Sequence, residues 1–432
     1  MKVRKTERAD PYKGKILTQG LGPILAREEW LARITTLPPL PRDLASMPPH
    51  VRMHHLLELR DFHMPTIEGV RVAETIDLMV RQSYRYRDPA RAATWTIVGN
   101  EPSAAASVHR APAMAAVVVG HSGVGKTETI HRAMCCYPGQ VINHAAFPKL
   151  VGAHHQVVWL SADVPATGRL ADLAANLMIA WDEAFAQYAP DRPRRFADVL
   201  ARERRDGARM LDEWRQVASA HFLGVLHLDE VQNFFRLPTL AKRRARPAHG
   251  SDDVIELSLI EDQTLKSVLT LTNTWQIPLV LSGTPDGVAA LTKRLSTVQR
   301  FVTSGYHRID EFRSADAKNF EMFLEQLGRY QFLRKRLPVT AELRELVIEC
   351  TAGIPRLIVA LWIAAQRIAL ERGDEVLRLD DFRRASATAL APVAPAVGAL
   401  RSRDPRLMRR YEDLMPRDDA YWSAFWAGAP AP

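Results

Sequence analysis

The chain has 432 residues, 47% hydrophobic and 25% charged, which is enough for two or three domains' worth of buried core. No apolar run approaches the ~20 residues of a membrane span, and the basic start MKVRKTERADPYKGK lacks the apolar stretch of a secretory signal. Three cysteines, Cys135, Cys136 and Cys350, make neither a metal spacing nor a disulfide framework, so a reducing cytoplasm is expected. The formal net charge of +9 permits a polyanionic partner without requiring one.

In chain order, residues 1–45 read as an irregular arm, because Pro38, Pro39, Pro41, Pro48 and Pro49 oppose continuous helix there. Apolar spacing then predicts a helix from Ile67 to Tyr84, followed by a loop over 87–113. A strand ends at Gly120, and a helix is predicted from Lys126 to Tyr137. The next strand covers Gln156 to Asp163. Helices are predicted over 167–187 and 195–220, then a strand from Gly224 to Leu228. A helix from Asp253 to Trp275, a strand from Pro278 to Ser282 and a helix from Asp286 to Leu295 follow. Strands alternating with helices imply a parallel α/β sheet flanked by helices. Beyond 314 the pattern is all helical, near 315–329, 340–350, 355–371 and 379–388. Residues 391–399 look like a linker. The expected organisation is an N-terminal extension (1–112), an α/β core (113–312), a small helical lid (313–390) and a linker with a C-terminal tail (391–432).

The most specific stretch is AAVVVGHSGVGKT, residues 115–127. Gly120, His121, Ser122, Gly123, Val124, Gly125, Lys126 and Thr127 spell the phosphate-binding loop of P-loop NTPases, set between strand and helix. Glycines let successive N–H groups face an anion, and the helix N-terminus adds positive potential. Lys126 would reach the β- and γ-phosphates of ATP, and Thr127 would ligate Mg²⁺. The strand GVLHLDE then delivers Asp229 to the metal and Glu230 to the attacking water as general base, the end of a strand being where open α/β sheets bind ligands. At the end of PLVLSGTP, Thr284, or after it Ser282, suits a sensor of the γ-phosphate, although either also suits a helix N-cap before Pro285. Arg300 and Arg294 flank the next helix, where an arginine could reach a neighbouring subunit's nucleotide. In the lid, Thr351-Ala352-Gly353-Ile354-Pro355-Arg356 opens a helix, and Arg356 is expected to face the nucleotide.

This ordered set, covering roughly 112–390, resembles an AAA+ ATPase. Within that superfamily it is most similar to the transposition regulators TnsC and TniB. The similarity lies in Ser282-Gly283-Thr284-Pro285, Gly353-Ile354-Pro355-Arg356, His50-Val51-Arg52 and the run Tyr84 to Pro89. The chain departs from compact members in an insert at 237–252 and an extended tail. The resemblance implies slow ATP hydrolysis, ATP-dependent homo-oligomerisation as a ring or filament on double-stranded DNA, and contacts with a transposase and a target selector. Arg192, Arg194, Arg195, Arg202, Arg205 and Arg209, with Arg204 and Arg215 nearby, offer a DNA surface, and interleaved Asp191, Glu203 and Asp206 leave a plain solvated face equally open. The basic insert at 242–246 and the tail arginines with Tyr421, Trp422, Phe425 and Trp426 are candidate partner contacts. The alternatives are a helicase-loader or replication-type ATPase, and a signalling NTPase that binds protein rather than DNA.

Overall fold

A computed structural model describes residues 10–40, 42–44, 46–99, 112, 114–202, 206–234, 259–285, 287–288, 300–404 and 407. Seven strands are formed among them: β1 Ala115–Val119, β2 Val141–His144, β3 His154–Val157, β4 Trp159–Asp163, β5 Val225–Asp229, β6 Leu279–Gly283 and β7 Gly305–Arg308. Five make one sheet in the order β4-β5-β6-β1-β7, with every pairing parallel, and β2 and β3 form an antiparallel pair. Strand side chains alternate between faces, and here both faces are covered. Ala115, Val117 and Val119 therefore join one core with Leu226, Leu228, Leu279 and Leu281. Ala116 and Val118 join another with Val225 and Val280. The first core is closed by the helices Leu170–Tyr188 and Gly207–Ala220, and the second by Ile67–Tyr86 and Lys126–Cys135.

A third core belongs to the helices Lys318–Gly328, Ala341–Thr351, Pro355–Arg372 and Leu379–Ala387. Leu56, Leu59 and Phe62 enter it from the N-terminal segment. Arg52, buried, clamps Glu375 with two bonds of 2.8 and 2.9 Å, so segment 49–62 staples the helical region to the α/β part. Among the described residues no single helix is long and apolar enough to cross a membrane.

Several expectations are corrected. The arm is not irregular throughout: Arg27–Ile34 is helical, and Leu17, Leu21, Trp30 and Ile34 pack into the second core. Residues 92–99, expected in a loop, form a helix. The helix expected over 195–220 is broken: Ala197–Leu200 is one turn, and Asp206 caps a fresh start at Gly207 by accepting from the Ala208 and Arg209 amides. An Asp side chain in that role replaces the missing backbone partner and so begins a helix. The strand expected over 156–163 is two, divided at Val158. β2 and β7 lie outside the expected strands, because VINH and GYHR are too short and too polar to show a period. Residues 394–402, which begin inside the expected linker at 391–399, form a helix with Val397 and Ala399 buried. The insert at 237–252, most of the helix expected from Asp286 to Leu295, and the tail aromatics lie outside the described residues.

Candidate functional site

The loop after β1 is held open from below. Gly120 donates to Gly283 O at 3.3 Å, and a Cβ at Gly120 would fall 2.3 Å from Ile309 O. Gly123 (φ +86°) and Gly125 (φ +98°) occupy the left-handed region, where glycine carries no steric penalty. Lys126 Nζ donates to Gly120 O at 2.8 Å and His121 O at 3.1 Å, so the ammonium spans the loop's mouth. His121 Nδ1 lies 3.2 Å from Glu311 Oε2 just beyond β7. Burial alone would raise the Glu311 carboxyl, but the bond and charge of His121 outweigh it and bring it down to about 2.

β5 lies two strands from β1, with β6 between, and its end brings the acidic pair to the same rim. Asp229 is buried; Thr127 Oγ1 donates to its Oδ2, and Ser282 Oγ (2.5 Å) and the Glu230 amide (2.8 Å) donate to Oδ1. Burial pushes the Asp229 carboxyl up, yet His227 and these donors hold it below the usual range, so it is ionised at neutral pH. Glu230 is exposed, with φ +56°, a strained conformation for a non-glycine residue. Desolvation and the Asp229 charge raise its carboxyl, although Lys126 opposes them. A raised pKa brings a carboxylate nearer the range useful to a general base.

Thr284 Oγ1 is buried at this rim and has no hydrogen-bond partner among the described residues. Its amide donates to Gln232 Oε1 at 3.2 Å, and Gln232 Nε2 donates to Glu230 Oε2. Gln232 thus bridges the expected base and the expected sensor, a role the sequence did not suggest. Ser282 points elsewhere, to Asp229 and to His227 Nε2 (2.7 Å). His227 is fully buried, and desolvation lowers its pKa to about 4, leaving a neutral ring. Asp163 ends β4 in register with Asp229.

The helical region closes one side. Arg356 N donates to Gly123 O at 3.2 Å, and its exposed side chain starts beside the loop. A cavity of about 1160 Å³ opens there, with His63, Pro65, Gly125, Ile309, Arg356 and Val359 among its walls. His63 Nε2 is buried in it without a hydrogen-bond partner among the described residues. Burial, then the Arg132 charge, brings the ring down to about 4. Nothing in the local sequence around His63 marks it, since the wall assembles from four distant segments.

The orphaned Thr284 hydroxyl, the left-handed glycines and the ionised Asp229 beside Thr127 fit a nucleoside triphosphate with Mg²⁺. Mg²⁺ takes few protein ligands and keeps phosphate oxygens and waters. Among the described residues no group of three or more His, Cys, Asp or Glu gathers for a metal.

Arg300 is exposed ahead of β7, and Arg294 lies outside the described residues. Arg192, Arg194, Arg195, Arg202 and Arg209 are exposed, while Arg204 and Arg205 lie outside the described residues. Arg195 is 3.6 Å from Glu213. Arg215 is no surface residue: it is buried, paired with Asp212 at 2.6 Å, and stacked 3.4 Å from the Trp275 ring centre.

A sequence profile described as an AAA domain matches residues 109–291. No curated protein matches the chain. Among solved structures, the Walker-type ATPase of Pyrococcus abyssi is similar at 14% identity and a TM-score of 0.39, over 73% of this chain and 83% of that one. The Thermotoga maritima RuvB Holliday junction branch migration motor is similar at 13% identity and a TM-score of 0.33, over 63% of this chain and 61% of that one.

Proposed function

We propose, from the premise that the chain belongs to the broad AAA+ ATPase superfamily, that it binds and hydrolyses ATP and uses the cycle to assemble on, and leave, a macromolecular partner. The observation that carries this reading is the convergence of Lys126, Thr127, Asp229, Glu230 and Thr284 at the carboxyl ends of β1, β5 and β6. Phosphoryl transfer of this kind is positioning plus charge stabilisation. The loop amides and Lys126 hold the triphosphate, and Arg356 approaches from the lid. Glu230 takes the proton of a water that attacks the γ-phosphorus, and Thr284 helps place that water. Thr127 and Asp229 would hold Mg²⁺, which supplies charge neutralisation at the β- and γ-phosphates. The cavity beside His63 would take the base. Arg300 or Arg294 would act on a neighbouring subunit's nucleotide, within a homo-oligomer.

For the partner, the helicase-loader or replication-type reading asks least beyond generic AAA+ activity, and we give it precedence. Five exposed arginines between 192 and 209 support a nucleic-acid partner, double-stranded DNA first. The transposition-regulator reading, with a transposase and a target selector, rests on Ser282-Gly283-Thr284-Pro285 and Gly353-Ile354-Pro355-Arg356.

The test is ATP binding and turnover in two variants. Lys126→Ala should abolish nucleotide binding. Glu230→Gln should keep binding and lose hydrolysis, by roughly a hundredfold or more. Wild-type turnover in Glu230→Gln would remove Glu230 as base; tight ATP binding by Lys126→Ala would remove the site.

A further inference from the structure

Asp229 does not reach the rim alone. Behind it lies a file of polar groups crossing three adjacent strands: Ser161 on β4, His227 on β5 and Ser282 on β6. Ser161 Oγ is 2.8 Å from His227 Nδ1, His227 Nε2 is 2.7 Å from Ser282 Oγ, and Ser282 Oγ is 2.5 Å from Asp229 Oδ1. The donors can be assigned by counting protons. Ser282 Oγ donates its proton to Asp229 Oδ1. Ser282 Oγ must then accept from His227 Nε2–H. Ser161 Oγ bonds the other ring nitrogen, Nδ1. The Ser282 and His227 protons both point towards Asp229.

We infer that Ser282 and His227 are positioning residues that hold the Asp229 carboxylate in the orientation a Mg²⁺-bound nucleotide requires. The inference rests on the ATPase reading above. With Oδ1 fixed by Ser282 and the Glu230 amide, Oδ2 and the Thr127 hydroxyl are left as the adjacent pair facing the loop. A serine hydroxyl by itself rotates freely and can turn to a local carbonyl; the imidazole removes that freedom by occupying its lone pair. A fully buried imidazole between Leu226 and Leu228 is costly unless both nitrogens are bonded, and both are. Groups behind a metal ligand typically change metal affinity or activity roughly 10–100-fold when removed.

The experiment compares wild type, Ser282→Ala, Ser282→Thr, His227→Asn and Ser161→Ala, each first checked for its melting transition. Mn²⁺ affinity in the presence of a non-hydrolysable ATP analogue is read by electron paramagnetic resonance. Analogue affinity in EDTA is read separately, and so is the Mg²⁺ dependence of turnover. Folded Ser282→Ala should bind Mn²⁺ roughly tenfold or more weakly, while its metal-free nucleotide affinity stays at the wild-type value. Ser282→Thr, which keeps the hydroxyl, should restore it. Ser161→Ala, at the half-buried end, should show a smaller loss in the same direction and serves if His227→Asn does not fold. Wild-type Mn²⁺ affinity in folded Ser282→Ala overturns the inference. Absence of any metal-dependent nucleotide binding or turnover in wild type overturns instead the ATPase reading on which it rests.

Discussion

Glu311 shows how one residue beyond the last strand can support the phosphate-binding loop. Its carboxyl is held at about 2 in the folded chain, against an ordinary value of 4.5, and the bond to His121 is what overcomes burial. A folded pKa below the unfolded one means stability that is fully present above pH 4.5 and lost as pH falls towards 2. The shift corresponds to on the order of 3 kcal/mol at most. Glu311→Gln should therefore lower the melting temperature at pH 7, and the gap from wild type should close as pH approaches 2. A gap that stays constant with pH would remove the His121 bond as its cause. The same residue shows a limit of sequence reading: His121 was visible as part of the loop, but its partner 190 positions away was not.

At the scale of elements, two joints tie the helical region to the site. The first is the turn before Arg356. Gly353 has φ +72°, and a Cβ there would lie 1.8 Å from Phe312 O. Gly353→Ala combines left-handed strain with a backbone clash and should cost about 3 kcal/mol or more, read as a lower midpoint in chemical denaturation. If the lid turn sets the nucleotide pocket, the same variant weakens ATP binding. The second joint is Arg52 with Glu375. Glu375→Ala leaves the buried guanidinium with only the Met47 and Phe332 carbonyls and should destabilise by roughly 3 kcal/mol. A change under half of that would show that the clamp contributes little. The Gly-Ile-Pro-Arg turn was legible because Pro and Gly announce helix boundaries locally. The clamp was not, since its two halves are 323 residues apart.

For the whole molecule, the proposed cycle predicts oligomers on double-stranded DNA with ATP or a slow analogue and none with ADP, seen by negative-stain electron microscopy. Binding should weaken steeply with salt, because each phosphate contact releases counterions. Arg192→Gln with Arg209→Gln should reduce the slope of log affinity against log salt by about two. Oligomers that form with ATP but ignore DNA would favour the protein-binding, signalling alternative. A wild-type slope in the double variant would move the DNA surface elsewhere.

The sequence by itself determined the AAA+ fold class and the local pieces of the candidate site. The reason is that each piece is encoded within a dozen residues: an apolar strand, a glycine loop that must curl, an acidic pair at a strand end, a proline-opened helix. Only the tertiary structure decided how those pieces are supported. It brings Gln232 between Glu230 and Thr284, bonds Ser282 to Asp229 and His227, and lines three strands' polar groups behind that carboxylate. It sends Arg215 inward to Trp275 and assembles the His63 cavity from four distant segments. Each of these depends on strand register and side-chain direction between residues far apart in the chain. Neither period nor composition records those relations. In a sheet buried on both faces, a polar residue such as His227 declares only that it needs partners, and the packing supplies them.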